Sequence, residues 1–322
     1  LQYDVCHKTN MPQKTNYGTH FLFREWKVVA MKAKYPQKSP VAQLPKEYIT
    51  DHVTSAIEED VGSGDITTNS LILPERQSVA QIITHEDIVF CGSNVAAEVF
   101  RHLDQDCLIK ELCEDGETVP KGSVLMQINA STQSLLTAER TALNYLQRMS
   151  GIATLCSRYV QAVNDYNTIL LDTRKTVPGW RLLEKYAVQC GGARNHRRTL
   201  DEMFFIKDNH LASMEGPHRI QQAVDQARQI NPNLKIEIEA DTIIQAKQAA
   251  DAGADIILLD NMTPEEIKEA LKEIGKRAQT EASGGITIDN IREFAQTGVQ
   301  FISIGAITHS ASSVNLSMEI SQ

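Results

Sequence analysis

Residues 235–266 read KIEIEADTIIQAKQAADAGADIILLDNMTPEE, and this stretch decides the fold. Lys235–Ile238 is a short apolar-rich run that ends at Glu239. Thr242–Ala252 has the spacing of a helix, and Gly253 follows it as a stop. Ile256–Leu259 is a second apolar run, ending at Asp260. Thr263-Pro264-Glu265-Glu266 then supplies an N-cap, a proline at the first helical position and a capping-box glutamate. Strand, helix, strand, helix at this spacing is a pair of β-then-α units, which build a parallel sheet.

The same unit recurs on both sides. Upstream, the strands Ile169–Leu171 and Phe204–Ile206 end at Asp172 and at Lys207-Asp208, with helices over Trp180–Cys190 and His218–Ile230. Downstream, Ala278–Ala282 ends at Ser283-Gly284-Gly285, Thr287–Gln296 is helical, and Phe301–Ile304 ends at Gly305. These units fit a barrel better than an open sheet. No Gly-x-Gly-x-x-Gly follows the first strand and no Gly-x-x-x-x-Gly-Lys-Ser/Thr is present, so the dinucleotide and Walker-type phosphate loops are excluded.

The first half reads differently. Tyr48–Asp60 is an amphipathic helix, Glu59–Thr68 a glycine-punctuated loop, Ser78–Thr84 and Ile88–Cys91 strands, Ser93–Leu103 a helix, and Ser134–Met149 a further helix carrying Arg140. Asp115–Leu125 reads as two short strands around turns. It resembles a carrier-domain hairpin but has no lysine at a carrier-type tip, so it is expected to be structural. The domain expectation is an extension over 1–44, an α/β domain over 45–150 and the barrel over 151–322, with the C-terminal segment returning to the first domain. A chain of 322 residues suits about two domains of roughly 150 residues.

Composition narrows the function. The chain is 42% hydrophobic with a net charge of −9, an ordinary globular balance that argues against general nucleic-acid binding. No run approaches the roughly 18 apolar residues of a membrane span, and Phe21–Met31 is broken by Arg24, Glu25 and Lys27. The six cysteines show no Cys-x-x-Cys or zinc spacing, so reduced thiols in a cytoplasmic protein are expected. Between Asp172 and Lys207, however, eight lysines and arginines face four acids. A local cation excess on an acidic chain points to a small anionic ligand.

Barrel chemistry gathers at the carboxyl ends of the strands. Arg174, Lys175, His196, Arg197 and Lys207 are donors for carboxylate or phosphate. Glu239 and Asp260 are acceptors for ribose hydroxyls, for Mg²⁺ or for a developing positive charge. Ser283, Gly284 and Gly285 precede an expected helix start, and with Ser303, Ile304 and Gly305 at the next strand end they are read as a phosphate cup. The set suits a phosphorylated sugar beside a multiply charged anion.

The motifs Asp172-Thr173-Arg174-Lys175-Thr176-Val177-Pro178-Gly179-Trp180-Arg181, Gly191-Gly192-Ala193-Arg194-Asn195-His196-Arg197, Ile206-Lys207-Asp208-Asn209-His210, Glu139-Arg140-Thr141-Ala142-Leu143-Asn144 and Glu281-Ala282-Ser283-Gly284-Gly285-Ile286 resemble those of the quinolinate phosphoribosyltransferase family. The resemblance runs from about Pro45 to Met318. It implies an α/β fold, with an N-terminal α/β sandwich followed by an incomplete parallel barrel of roughly seven strands. It implies Mg²⁺, with quinolinate and phosphoribosyl pyrophosphate as substrates. It also implies a homodimer, or an assembly of dimers, whose sites are completed by Arg140 of the neighbouring subunit. By the same resemblance Arg140, Arg174, Lys175, Thr176, His196, Arg197 and Lys207 bind quinolinate. Glu239 and Asp260 handle ribose and Mg²⁺, directly or through water, and with Lys175 they are the catalytic residues. Ser283 to Gly285 and Ser303 to Gly305 take phosphate. Gly191-Gly192-Ala193-Arg194 departs from the expected small-residue pattern. The competing readings are a molybdate-associated paralogue, a nicotinate phosphoribosyltransferase with fewer cations, and a phosphosugar-binding protein without turnover.

Overall fold

The computed structural model describes residues 43–321. The extension expected over 1–44 therefore lies almost wholly outside the described residues, as does Phe21–Met31.

The first half contains α1 (Lys46–Val61), α2 (Ile66–Leu71), β1 (Gln77–Thr84), β2 (Ile88–Val89), α3 (Ser93–Leu103), β3 (Leu108–Glu111), β4 (Thr118–Val119), β5 (Val124–Ser131) and α4 (Thr132–Ala162). The alternation in β1 buries Ser78, Ala80, Ile82 and Thr84 on one face. β1 is central in an antiparallel sheet of order β12-β1-β5-β3, where β12 (Leu316–Ser321) is the last strand of the chain. Helices α1, α3 and α4 pack together beside this sheet. β2 and β4 form a separate two-stranded ladder, so the 115–125 stretch is structural.

Two local expectations change. The loop expected over Glu59–Thr68 turns into α2, because Asp65 Oδ1 accepts the Thr68 amide at 2.9 Å and caps a helix there. The helix expected to end at Met149 continues to Ala162, burying Ile152, Ala153, Cys156 and Tyr159. Gly151 does not stop it. A Cβ at Gly151 would meet the Ser312 carbonyl oxygen at 2.1 Å, so the glycine lets the 311–314 segment pass against the helix. The boundary expected at residue 150 falls inside α4, which at about 46 Å runs from the sandwich into the barrel.

The barrel strands are β6 (Ile169–Leu171), β7 (Phe204–Ile206), β8 (Ile236–Ala240), β9 (Ile256–Asp260), β10 (Gln279–Ser283) and β11 (Phe301–Ser303). Between them run α5 (Arg181–Cys190), α6 (Asp208–Ala212), α7 (Arg219–Ile230), α8 (Ile243–Ala252), α9 (Pro264–Ile274) and α10 (Ile291–Ala295), with α11 (Ala306–His309) after β11. All six strands are parallel in the order β6-β11-β10-β9-β8-β7. That is a ring opened between β6 and β7, an incomplete barrel. A seventh strand is reduced to one bridge: Arg194 N donates to Leu170 O at 2.9 Å and Asp172 N to Arg194 O at 3.1 Å. The helix expected over 287–296 shrinks to α10, because Asn290 folds 285–290 into a turn, its side chain bonding Thr287 N at 2.8 Å and Gly285 O at 3.1 Å.

A buried ion pair ties down the bridge segment. Lys185 Nζ lies 2.6 Å from Asp172 Oδ1, with side chains 2% and 0% exposed. Asp172 Oδ1 also accepts His196 N at 2.7 Å, and Lys185 Nζ donates to His196 O at 3.0 Å. Burial lifts the Asp172 pKa to about 6 against the pull of Lys185.

Two changes test this framework. Gly151→Ala forces backbone apart and is expected to lower unfolding free energy by about 1–3 kcal/mol in urea titrations. Lys185→Met leaves Asp172 buried without a counter-charge and is expected to cost about 3–5 kcal/mol. The double change Asp172→Asn with Lys185→Met is expected to cost less than Lys185→Met alone. Equal costs would show that the pair is not coupled.

Candidate active site at the barrel mouth

The loop after β6 is a tight turn. Thr173 Oγ1 accepts Lys175 N at 3.1 Å, and Thr176 N donates to Arg174 O at 2.9 Å. The Lys175 carbonyl accepts the Thr308 hydroxyl at 2.8 Å, anchoring the turn to α11. The Lys175 side chain crosses Gly305, where a Cβ would sit 2.9 Å from Lys175 Cδ. Thr176 is occupied inside the fold: its hydroxyl accepts Arg181 Nε at 3.0 Å and lies 3.4 Å from Arg174 O. Behind this loop, Arg148 of α4 pairs with buried Glu184 at 2.8 Å and donates to Thr308 O at 2.6 Å.

Cations collect around Phe205 of β7. The Arg197 guanidinium carbon lies 5.0 Å from the ring centroid and Lys207 Nζ 4.6 Å from it. Burial, then the nearby Arg174 charge, lowers the Arg197 pKa. Among the described residues, the buried side-chain nitrogens without a partner are Arg174 Nε and Arg197 Nε. Buried donors without acceptors are costly, and Arg197 offsets part of that cost by donating Nη1 to Met203 O at 3.1 Å.

The acidic side adjoins it. Lys207 forms an ion pair with Glu239, whose side chain is 9% exposed. Burial, then the Glu239 charge, raises the Asp260 pKa. Asn261 Nδ2 donates to Asp260 Oδ2 at 2.6 Å from a backbone at φ 55°, and a Cβ at Gly284 would meet Asn261 Oδ1 at 2.1 Å. Gly284 therefore admits the residue that holds Asp260. Exposed Asp241 joins the pair: one oxygen each of Glu239, Asp241 and Asp260 lie within 4.8 Å of one another. Three carboxylates with open solvent beside them fit Mg²⁺, which takes oxygen ligands and keeps waters.

Several expected residues also make contacts within the fold. His196 has both ring nitrogens engaged: Nε2 lies 2.8 Å from Glu237 Oε2, and Nδ1 accepts Arg197 N at 2.8 Å. The Ile304 amide donates to Leu171 O at 3.0 Å, and the residue is buried at 2% exposure, so it ties the end of β11 to β6. Ser303 is buried and its hydroxyl lies towards Glu281, though not in bonding geometry. Gly284 and Gly285 remain in a loop open to the mouth, but α10 starts only at Ile291 and has five residues, so the expected helix dipole is not there. Arg140 is exposed on α4, and its neighbours Thr137 and Thr141 bond Asp65 and Asp60 on the sandwich side.

Asp241, Phe205, Glu237 and Glu281 are the residues that sequence reading missed. Glu237 and Glu281 are 0% and 1% exposed, and Glu281 is pushed up to about 8 by burial and then by the Glu237 charge. The available signal was the alternation Ile236-Glu237-Ile238-Glu239, which places both glutamates on the barrel interior.

Comparison with known proteins agrees with this geometry. Residues 65–150 match the model for the quinolinate phosphoribosyl transferase N-terminal domain, and residues 152–319 match that for its C-terminal domain. The probable nicotinate-nucleotide pyrophosphorylase [carboxylating] of Bacillus subtilis is 40% identical over 81% of this chain and 90% of its own. That of Methanothermobacter thermautotrophicus is 41% identical over 84% and 98%. The solved nicotinate-nucleotide pyrophosphorylase from Francisella tularensis superposes with a TM-score of 0.82 at 37% identity, covering 88% of this chain and 100% of that one. With both domain models matched in order and relatives at this identity along most of its length, the chain belongs to the quinolinate phosphoribosyltransferase family.

Proposed function

We propose that this protein transfers the phosphoribosyl group of phosphoribosyl pyrophosphate to quinolinate, with decarboxylation. The products are nicotinate mononucleotide, pyrophosphate and CO₂, as in de novo NAD synthesis. The observation that carries this reading is the clustering of Arg197 and Lys207 over Phe205, with the Arg174 charge close enough to act on Arg197. Two cations over one aromatic ring, with Arg174 close to them, suit two adjacent carboxylates on a flat acceptor. A single carboxylate would leave part of that charge unmatched.

The acidic cluster suits the sugar. Glu239 and Asp260 are acceptors for the ribose hydroxyls and for the charge that develops at the anomeric carbon, and Asp241 adds a third carboxylate beside them. Mg²⁺ held by these carboxylates, directly or through water, would neutralise pyrophosphate charge. The ring nitrogen attacks the anomeric carbon as the C–O bond to pyrophosphate breaks, and the carboxylates stabilise the positive charge that develops on the sugar. When the 2-carboxylate departs as CO₂, the electron pair of the broken bond stays on C2, where the adjacent pyridinium nitrogen's positive charge stabilises it until that carbon takes up a proton. Lys175, laid across Gly305, supplies a cation for the phosphate side of the site. Gly284 and Gly285 offer backbone amides to the 5′-phosphate.

Arg140 is placed to act on a neighbouring subunit. It is exposed, and α2 beside it carries Ile66 and Leu71 at 80% and 75% exposure, with Leu73 at 66% just beyond. A second copy covering that apolar face would carry Arg140 to the partner's barrel mouth, giving a homodimer or an assembly of dimers. Among the described residues no helix is long and apolar enough to cross a membrane, and all five described cysteines are free. A reducing compartment, the cytoplasm, fits those thiols.

Steady-state kinetics tests the residue roles. Arg174→Ala or Lys207→Ala is expected to lower kcat/KM for quinolinate by about 30- to 5000-fold, the equivalent of about 2–5 kcal/mol for a desolvated charge contact. Near-wild-type values would remove the assignment. Mixing inactive Arg140→Ala with inactive Lys207→Ala subunits is expected to restore about a quarter of wild-type activity, since half the dimers then hold one intact site. No recovery after subunit exchange would place Arg140 outside the partner's site.

A further inference from the structure

The loop that carries Arg174 and Lys175 is held from two directions. Its first half is tied to α11, where Thr308 donates to the Lys175 carbonyl at 2.8 Å. Its second half meets α1, far back in the chain. Gly179 turns there at φ 83°, and its carbonyl accepts the Tyr48 hydroxyl at 2.9 Å. The His52 ring, one helical turn on from Tyr48, also faces the Gly179 backbone. Trp180, the next residue, stacks on Tyr145 of α4 with centroids 5.0 Å apart and meets His52 edge-on at 5.5 Å. The Tyr145 hydroxyl lies 2.6 Å from His52 Nδ1, and the Tyr48 and His52 rings are 5.6 Å apart. Aromatic side chains of α1 and α4 thus close on one dipeptide, Gly179-Trp180.

The protonation states agree with this arrangement. Burial raises the pKa of both tyrosine hydroxyls, so each keeps a proton to donate. Burial lowers that of His52 against the bond to the Gly179 backbone, so the ring is neutral at pH 7. A neutral imidazole offers one donor and one acceptor, matching a carbonyl and a hydroxyl as neighbours. The loop needs such a hold. Its own bonds, between Thr173 and Lys175, Arg174 and Thr176, and Val177 and Trp180, span only two or three residues. They set its shape and leave its placement to contacts from outside.

We propose that Tyr48 and His52 are positioning residues for the reaction: from the first domain they clamp Gly179-Trp180 and so set where Arg174 and Lys175 stand at the barrel mouth. The kinetic half of this proposal rests on the reading of the mouth as a quinolinate site. The clamp itself can be read without turnover.

The chain has two tryptophans, so Trp26→Phe leaves Trp180 as the fluorescent reporter. In that background, Tyr48→Phe with His52→Leu is expected to shift Trp180 emission to the red and to increase its quenching by acrylamide. Unchanged emission and quenching would overturn the proposal. In kinetics, Tyr48→Phe or His52→Leu alone is expected to raise KM for quinolinate about 3- to 10-fold, and the pair about 10- to 50-fold. The kcat is expected to stay within about 3-fold of wild type, because bound substrate restores the loop's placement. His52→Gln keeps a donor and an acceptor and is expected to hold KM within about 3-fold of wild type. A red shift with unchanged KM would show a contact that only stabilises the fold, and would overturn the positioning role. A loss in His52→Gln as large as in His52→Leu would overturn it too. Absence of quinolinate turnover in wild-type protein, with the red shift intact in the variant, would overturn the reaction and leave the clamp standing.

Discussion

The buried pair of Asp172 and Lys185 is the constraint on which the mouth depends. It sits where the barrel is open, between β6 and β7. A closed barrel would hold residues 194–197 by a strand ladder, but here one bridge at Arg194 does so. Asp172 supplies the missing order by accepting His196 N, and Lys185 by donating to His196 O. Two charges taken out of water are stabilising only when their remaining valences are filled, and these are filled by the backbone of the segment that carries Arg197. Fold and site are therefore held by the same bonds.

Charge is distributed in layers above that pair. At the floor, Glu237 and Glu281 face His196, and burial followed by the Glu237 charge pushes the Glu281 carboxyl up. At the mouth, Arg174, Arg197 and Lys207 stand on one side and Glu239, Asp241 and Asp260 on the other. The Lys207–Glu239 ion pair joins the two sides. A dianionic ring and a sugar that becomes cationic in the transition state need this separation of signs. Neither partner needs a nucleophile or a strong base from the protein.

Much of this was legible in the sequence. The barrel strands follow from apolar runs that end at Asp172, Lys207, Glu239, Asp260, Ser283 and Gly305, and each observed strand lies within about two residues of its expected bounds. Helix α9 is where Thr263, Pro264 and Glu266 put it, with the Glu266 carboxylate accepting Thr263 N at 2.8 Å. What escaped was set by contacts distant in sequence. Gly151 reads locally as a helix breaker and is instead the point where Ser312 approaches. Asn290 unwinds the start of an otherwise regular helix through its own side chain. The partner of His196 Nε2 is Glu237, 41 residues away, and only the fold brings the two together. Ile304 follows Ser303 directly in the chain, and only the β11–β6 ladder shows that its amide is taken. Asp241 is an ordinary loop aspartate until β8 and β9 bring it to Asp260.

The central claim is that the cationic mouth accepts a dicarboxylate ring and decarboxylates it. The direct measurement is product formation by purified protein with phosphoribosyl pyrophosphate and Mg²⁺, supplied in parallel with quinolinate or with nicotinate. The account predicts nicotinate mononucleotide and an equal amount of CO₂ from quinolinate, with little or no product from nicotinate. Equal turnover of nicotinate, or ribosylated quinolinate without CO₂, would contradict it.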